Sequence, residues 1–362
     1  MLLCKNRISP ERSSLDVGDS RAIDLYSKKP RHRALYLFAV VFTLVGSPLQ
    51  AAESKLETIN VSYSSLSPTR LHLWMARDLG IFEKYGLDTK LVFISGGPTS
   101  LQALLGGNVA VVTAGGQATI VVAAKGAPLA IFGNSHYSPY VLVAAPAIST
   151  VEGLKGKIIG SSRPGAAADF TTRLMLNKLN IDPNSQVTLR YTGLSNSRDR
   201  VRLMTQGIID ATLSVPEDAL DFQLRGFKFN VLAESVELGA ISTEDFTASR
   251  EFLRSHPGTA AAFLKSVSEA VWTARANKGL AQSFYRRYLK LEDPRVLESM
   301  YKTYVLKAYP EKPYPMLGAI ETYVENMRPT LPELKGKQAS DFVNGDILRS
   351  IESEGFWNKL KQ

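Results

Sequence analysis

Cysteine is almost missing from this chain: Cys4 is the only one in 362 residues. A disulfide framework and a thiolate metal site are both excluded by that count. Histidine is nearly as scarce. Beyond the N-terminal stretch only His72, His136 and His256 remain, none with a second His or a carboxylate at metal-ligand spacing, so no metal is expected. No G-x-S-x-G elbow, Walker A loop, H-E-x-x-H or full G-x-G-x-x-G occurs, and no cofactor or catalytic residue is expected. Basic runs are lacking as well. The net charge of +9 divides into +4 over residues 1–51 and +5 over the rest, which argues against nucleic acid as a partner. Long apolar runs are absent too; the stretch Ala34 to Val45 is short for a membrane span.

What is present is ordinary for a folded protein. Hydrophobic residues make up 44% and charged residues 21%, over a length that suits two domains. The N-terminus reads as an address. Lys28, Lys29, Arg31 and Arg33 precede the apolar run, and Gly46, Ser47, Pro48 and the pair Ala51-Ala52 follow it. A basic region, a short apolar region and a small-residue exit mark a secretory signal, expected over 1–52 with cleavage near Ala51. An uncleaved anchor helix is the other reading. No Cys follows the apolar run, so lipid anchoring is not expected, and the predicted location is periplasmic.

From Thr58 onward, short β-rich runs alternate with helical runs of about ten residues, as in βαβ units with a mostly parallel sheet. The pattern runs once from Thr58 to Gly133 and again from Lys157 to Leu232. Gly86-Leu87-Asp88 in the first half answers Asn180-Ile181-Asp182 in the second, and Leu105-Gly106-Gly107 answers Thr205-Gln206-Gly207. Two α/β lobes of like topology are predicted; one continuous doubly wound sheet is the alternative. After Leu232 the pattern reads as helical to the end. A helical tail packed back on the first lobe requires two crossings, near Ser135 to Pro139 and near Ala233 to Leu238. The predicted division is 53–138 with 235–362 as lobe 1, and 139–234 as lobe 2, hinged around a cleft.

Five predicted strand-to-helix loops are small and polar. They carry Ser64, Ser65 and Leu66; Gly96 and Gly97; Ala114 and Gly115; Ser162, Arg163 and Gly165; and Thr192 and Gly193. Hydroxyls and free N–H groups at helix starts suit an anion, and ligands of open α/β sheets bind beyond the carboxyl ends of strands. Each loop taken singly also reads as an ordinary turn with an N-cap. Arg163 is either a bidentate partner for a carboxylate or sulfonate, or a solvated surface residue. Glu217, after Val215-Pro216, either accepts a ligand ammonium or simply complements a helix N-terminus. His136 and Tyr137 sit at the first crossing, lining the cleft or packing beneath it. Trp74 reads as core, and Arg198, Arg200 and Arg202 as one solvated helix face.

The segment Ala76 to Leu87 (A-R-D-L-G-I-F-E-K-Y-G-L), the Gly96-Gly97 loop, Leu104 to Ala110 and Leu154 to Lys157 together resemble the substrate-binding proteins of ABC importers for nitrate, sulfonates and taurine. The pyrimidine-precursor proteins of thiamine biosynthesis share that superfamily. The resemblance covers roughly Thr58 to Leu232. It implies a two-lobed periplasmic-binding-protein fold of type II, ligand residues in the loops named above, and a membrane permease as partner. Taken with the small polar loops, the expected function is that of a monomeric, non-catalytic receptor for a small organic anion of sulfonate or carboxylate type. Its alternatives are an enzyme of the pyrimidine-precursor synthase type and a periplasmic ligand sensor.

Overall fold

The structure is a computed structural model that describes residues 55–235 and 243–360. The expected leader at 1–52 lies outside these residues, as does the expected second crossing beyond Ser235. Among the described residues, no helix is long and apolar enough to cross a membrane.

In chain order the strands are β1 (Glu57–Tyr63), β2 (Leu87–Phe93), β3 (Val111–Gly115), β4 (Leu129–Tyr137), β5 (Val141–Ala144), β6 (Ile158–Ser161), β7 (Thr188–Tyr191), β8 (Ala211–Ser214), β9 (Asn230–Glu234) and β10 (Thr243–Ser249). They form two sheets, not one: β2-β1-β3-β10-β4 and β7-β6-β8-β5-β9. In each, four strands run in one direction and one antiparallel strand is inserted between the third and the fourth. In the first sheet that strand is β10, paired antiparallel with both β3 and β4. In the second it is β5, paired antiparallel with β8 and β9. The halves therefore match in topology, and the matched turns agree in backbone. Gly86 and Asn180 both take a left-handed conformation, at φ 85° and 59°. Asparagine tolerates that region better than other non-glycine residues.

Two strands escape the sequence pattern. The chain after Leu232 is not purely helical, because Thr243–Ser249 returns as a central strand. Its Thr-Glu-Asp-Phe-Thr-Ala-Ser run has no apolar alternation to betray it. Phe246 enters the core, edge-to-face with Phe263 at 5.1 Å. On the polar side, Asp245 accepts from Asn134 (3.0 Å) and the Thr247 hydroxyl meets that of Thr119 (2.8 Å). Hydrogen-bonded neighbours thus replace the apolar burial that a central strand normally shows. The second omission is Val141–Ala144, a strand of only four residues directly after the first crossing.

The C-terminal helices cover the first sheet. The helix Pro257–Ala276 buries Phe263, Leu264, Val267 and Val271, and packs on the helix Leu71–Asp78, whose Trp74 is in the core as predicted. Gly133 of β4 lies under this layer. A Cβ there would stand 2.9 Å from Leu264 Cδ2 and from Phe246 Cδ2, and 3.3 Å from the Pro313 carbonyl oxygen. Gly133→Ala should therefore overpack the lobe and cost about 1–3 kcal/mol. Thermal denaturation checks it; an unchanged melting temperature would refute the close fit.

Candidate functional site

The strands of both sheets end at one cleft. β1, β3 and β6 bring Ser64 and Ser65, Gly115, and Ser162 to it at or just past their carboxyl ends. The two antiparallel strands present their amino ends instead: Glu244 is the second residue of β10, opposite Gly115 and His136, and Tyr140 precedes β5. The cavity is about 60 Å³, room for a handful of waters or a ligand of few heavy atoms.

The lobes meet across this cleft. The Leu66 N–H donates to Asn196 Oδ1 at 3.1 Å. With its amide oriented to satisfy both neighbours, Gln117 accepts from the Ala167 N–H at 2.8 Å and donates to the Gly115 carbonyl at 3.2 Å. The Tyr304 hydroxyl donates to Glu217 Oε2 at 2.8 Å. The bare glycines of the first lobe serve this approach. A Cβ on Gly115 would stand 2.8 Å from that of Ala167, and one on Gly96 3.2 Å from Arg163 Cδ.

Of the residues the sequence singled out, Ser64, Ser65, Leu66, Gly96, Gly97, Gly115, Ser162 and Arg163 line the cleft together. The others do not line it. Ala114 is buried in a cluster with Leu101 and Val112. Thr192 and Gly193 hold the turn from behind: the Thr192 hydroxyl donates to the Ser161 carbonyl (2.8 Å), and the Gly193 carbonyl accepts from Arg163 Nε (3.3 Å). Gly165 gives its N–H to Asp169 (2.9 Å) and faces an apolar groove with Pro98 and Leu101. His136 is fully buried, its ring between the hydroxyls of Ser135 (3.0 Å) and Ser138 (3.2 Å). Burial, with Arg70 nearby, holds its pKa well below the usual value, so the ring is neutral. The Tyr137 hydroxyl meets Ser235 at 3.5 Å, between the two chain crossings. Glu217 lies fully buried under Tyr304, and burial pushes its pKa up to about 7.

The strongest feature was read wrongly from sequence. Arg200 is not solvated; it is 1% exposed and lines the cleft. Its Nε donates to Thr212 Oγ1 (3.2 Å), Nη1 to the carbonyls of Leu194 (2.9 Å) and Ser195 (3.2 Å), and Nη2 to that of Leu213 (3.1 Å). Among the described residues no carboxylate lies within ion-pair distance of it, whereas Arg198 pairs with Asp218 and Asp221. A signal existed: Ser197, Arg200, Val201 and Met204 are the buried positions of their helix, at i, i+3, i+4 and i+7. Arg70, Glu244 and Tyr304 were also missed. Arg70 is fully buried and donates to Glu244, to Ser65 Oγ (3.0 Å) and to Thr113 Oγ1 (3.4 Å). Tyr304 comes from the π-helix Tyr301–Ala308, more than 80 residues beyond Glu217; the cleft-lining Ser162 carries a buried Oγ with no protein partner.

Two α/β lobes meeting at a small polar cleft define the periplasmic-binding-protein fold. The chain belongs to the NMT1/THI5-like family, whose model matches residues 67–278. Among curated proteins it is similar to YtlA of Bacillus subtilis (strain 168), whose name places it provisionally among binding proteins: 24% identical over 324 residues, 87% of this chain and 95% of that one. Among solved structures it is similar to the nitrate-binding protein NrtA of Synechocystis PCC 6803 (TM-score 0.67, 13% identity, 83% and 89% of the two chains). It is also similar to the alkanesulfonate-binding protein SsuA of Xanthomonas axonopodis pv. citri, bound to MOPS (0.62, 19%, 79% and 96%). The desulfurization enzyme DSZB has the same fold (0.59, 14%, 82% and 99%). These structures establish the two-lobed architecture.

Proposed function

We propose that this protein is a periplasmic receptor for a small organic anion, of sulfonate or carboxylate type, which it hands to the permease of an ABC importer. The observation that carries the reading is Arg200, a buried guanidinium facing the cleft with no carboxylate partner among the described residues. A buried cation is costly without a counter-charge, and a bound anion supplies one. The free Ser162 hydroxyl adds a donor to the same cavity. NrtA and SsuA are named for anions, which agrees with this reading.

A thermal-shift screen against small sulfonates, carboxylates and nitrate tests it. A binder should stabilise the protein by about 2.7 kcal/mol at a hundredfold excess over Kd, and should be recovered unchanged. Preference for a cationic or strictly apolar ligand, or turnover of the bound compound, would sink the reading. Arg163 should matter less than Arg200, because it is exposed and already held by Gly193. Arg163→Ala should weaken the anion about three- to tenfold, or ~0.7–1.4 kcal/mol, by titration calorimetry; equal affinities would remove it from the site. Export is checked by intact mass of periplasmic material, expected to begin near Ala51 or Ala52. Retention of the apolar run would contradict cleavage.

A further inference from the structure

Four arginines stand in or near the cleft, and their pairing differs. Arg198 has two carboxylates, Asp218 and Asp221. Arg163 is exposed at the mouth, where water screens its charge. Arg70, fully buried, is paired with Glu244, which is 6% exposed and itself lines the cavity. Among the described residues Arg200 has no carboxylate within ion-pair distance, and Asp218 and Asp199 reach it only at longer range. The histidines nearest Arg70 add no charge: burial and that arginine lower His72 to about 3 and His136 well below its usual value. Tyr140, between these groups, is pushed up to about 12, first by burial and then by Glu244, so it stays a neutral phenol.

Resting on the anion-receptor reading, we propose that Glu244 sets the charge number the cleft accepts: by neutralising Arg70 it leaves one buried positive charge, that of Arg200, so the site selects singly charged anions and rejects dianions. A monoanion beside Arg200 leaves the closed cleft neutral. A dianion leaves one negative charge buried and uncompensated, and the desolvation penalty for such a charge is several kcal/mol. It would also sit in one small cavity with the Glu244 carboxylate, which repels it. Glu244 is thus a specificity-determining residue whose role is distinct from contacting the anion. Its seat is fixed by β10, where it lies opposite Gly115 and His136, and by the Asn134 amide, which donates to its carbonyl at 3.3 Å.

The test is gain of dianion binding. Glu244→Ala removes the counter-charge and vacates the carboxylate's volume beside Arg70. Inorganic sulfate is the probe, titrated by calorimetry and followed by thermal shift at pH 6, where Glu217 is mostly protonated. The wild type should show no saturable sulfate binding, and the variant should bind with a Kd at least about a hundredfold below the highest sulfate concentration tried on the wild type. Arg70→Met added to Glu244→Ala should abolish the gain. Should unpaired Arg70 unfold the variant, recovery of its circular dichroism by sulfate is the same result in another form. Saturable sulfate binding by the wild type overturns the proposal. So does a folded variant that gains none, an unfolded one that sulfate does not restore, or a gain that survives loss of Arg70. The anion-receptor reading fails separately, if no organic monoanion stabilises the wild type; the sulfate titration of the variant is read independently of that screen.

Discussion

Arg200→Met should raise the Kd of the anionic ligand by at least about a hundredfold, a loss of about 2.8 kcal/mol or more. The guanidinium is the buried charge that the cleft leaves uncompensated, and charge-assisted hydrogen bonds contribute about 1.5–3 kcal/mol each. Methionine fills similar volume but offers no donor. The same change frees the carbonyls of Leu194, Ser195 and Leu213, which now accept from Arg200. Some loss of melting temperature is therefore expected as well. Arg200→Lys separates the two effects: it keeps the charge and loses the planar fork, and should retain part of the affinity while still lowering stability. Calorimetry on the three proteins decides. An unchanged Kd in the methionine variant would show that Arg200 only braces the loop at Leu194 and Ser195.

The second large effect is on stability against pH. Glu217 carries a carboxyl whose Oε1 has no protein partner and whose Oε2 accepts from Tyr304. Burial raises its pKa from 4.5 to about 7. The folded protein therefore holds a proton that the unfolded chain releases. The stability linked to this group is fully present below about 4.5 and is lost as pH rises through about 7. A separation of that size corresponds to roughly 3 kcal/mol at the limit. His72 and His136 act in the opposite direction. Held neutral by burial, they contribute stability above their ordinary value of 6.5, which is lost as pH falls below it. The diagnostic quantity is thus the difference between wild type and Glu217→Gln. On going from pH 5.5 to 8, the wild type should lose more melting temperature than the glutamine variant. Parallel curves would mean that Glu217 reaches water in the native state.

How much of this was legible beforehand depended on periodicity. Strand-helix alternation, the doubled topology and the serine and glycine loops all follow from patterns within about ten residues, and the structure shows the fold they implied. Glu244 and Tyr304 were illegible for a different reason. One lies on a strand whose charges are satisfied by distant partners, the other on a π-helical stretch of the tail. Neither has a local cue, because each acquires its place only through long-range packing. Arg200 was legible and misread: alternate arginines suggest a wet face, but the helical spacing of Ser197, Val201 and Met204 places it inward. The glycines at 96 and 115 read in the sequence as parts of small polar loops, whereas in the folded chain they are also where one lobe rests on the other.

The order of strands in the first sheet bears on how the chain is assembled as it is made. All five strands of the second sheet lie between Val141 and Glu234 and are complete before β10 has been synthesised. The first sheet, begun at Glu57, has a gap between β3 and β4 that only β10 fills. The lobe that starts first must therefore finish last, and its half-built sheet exposes two unpaired strand edges to other chains in the meantime. The points where the intervening lobe leaves and returns are neighbours, Tyr137 pairing with Thr243. A tight turn joining those two positions would excise that lobe and let the first sheet close without waiting.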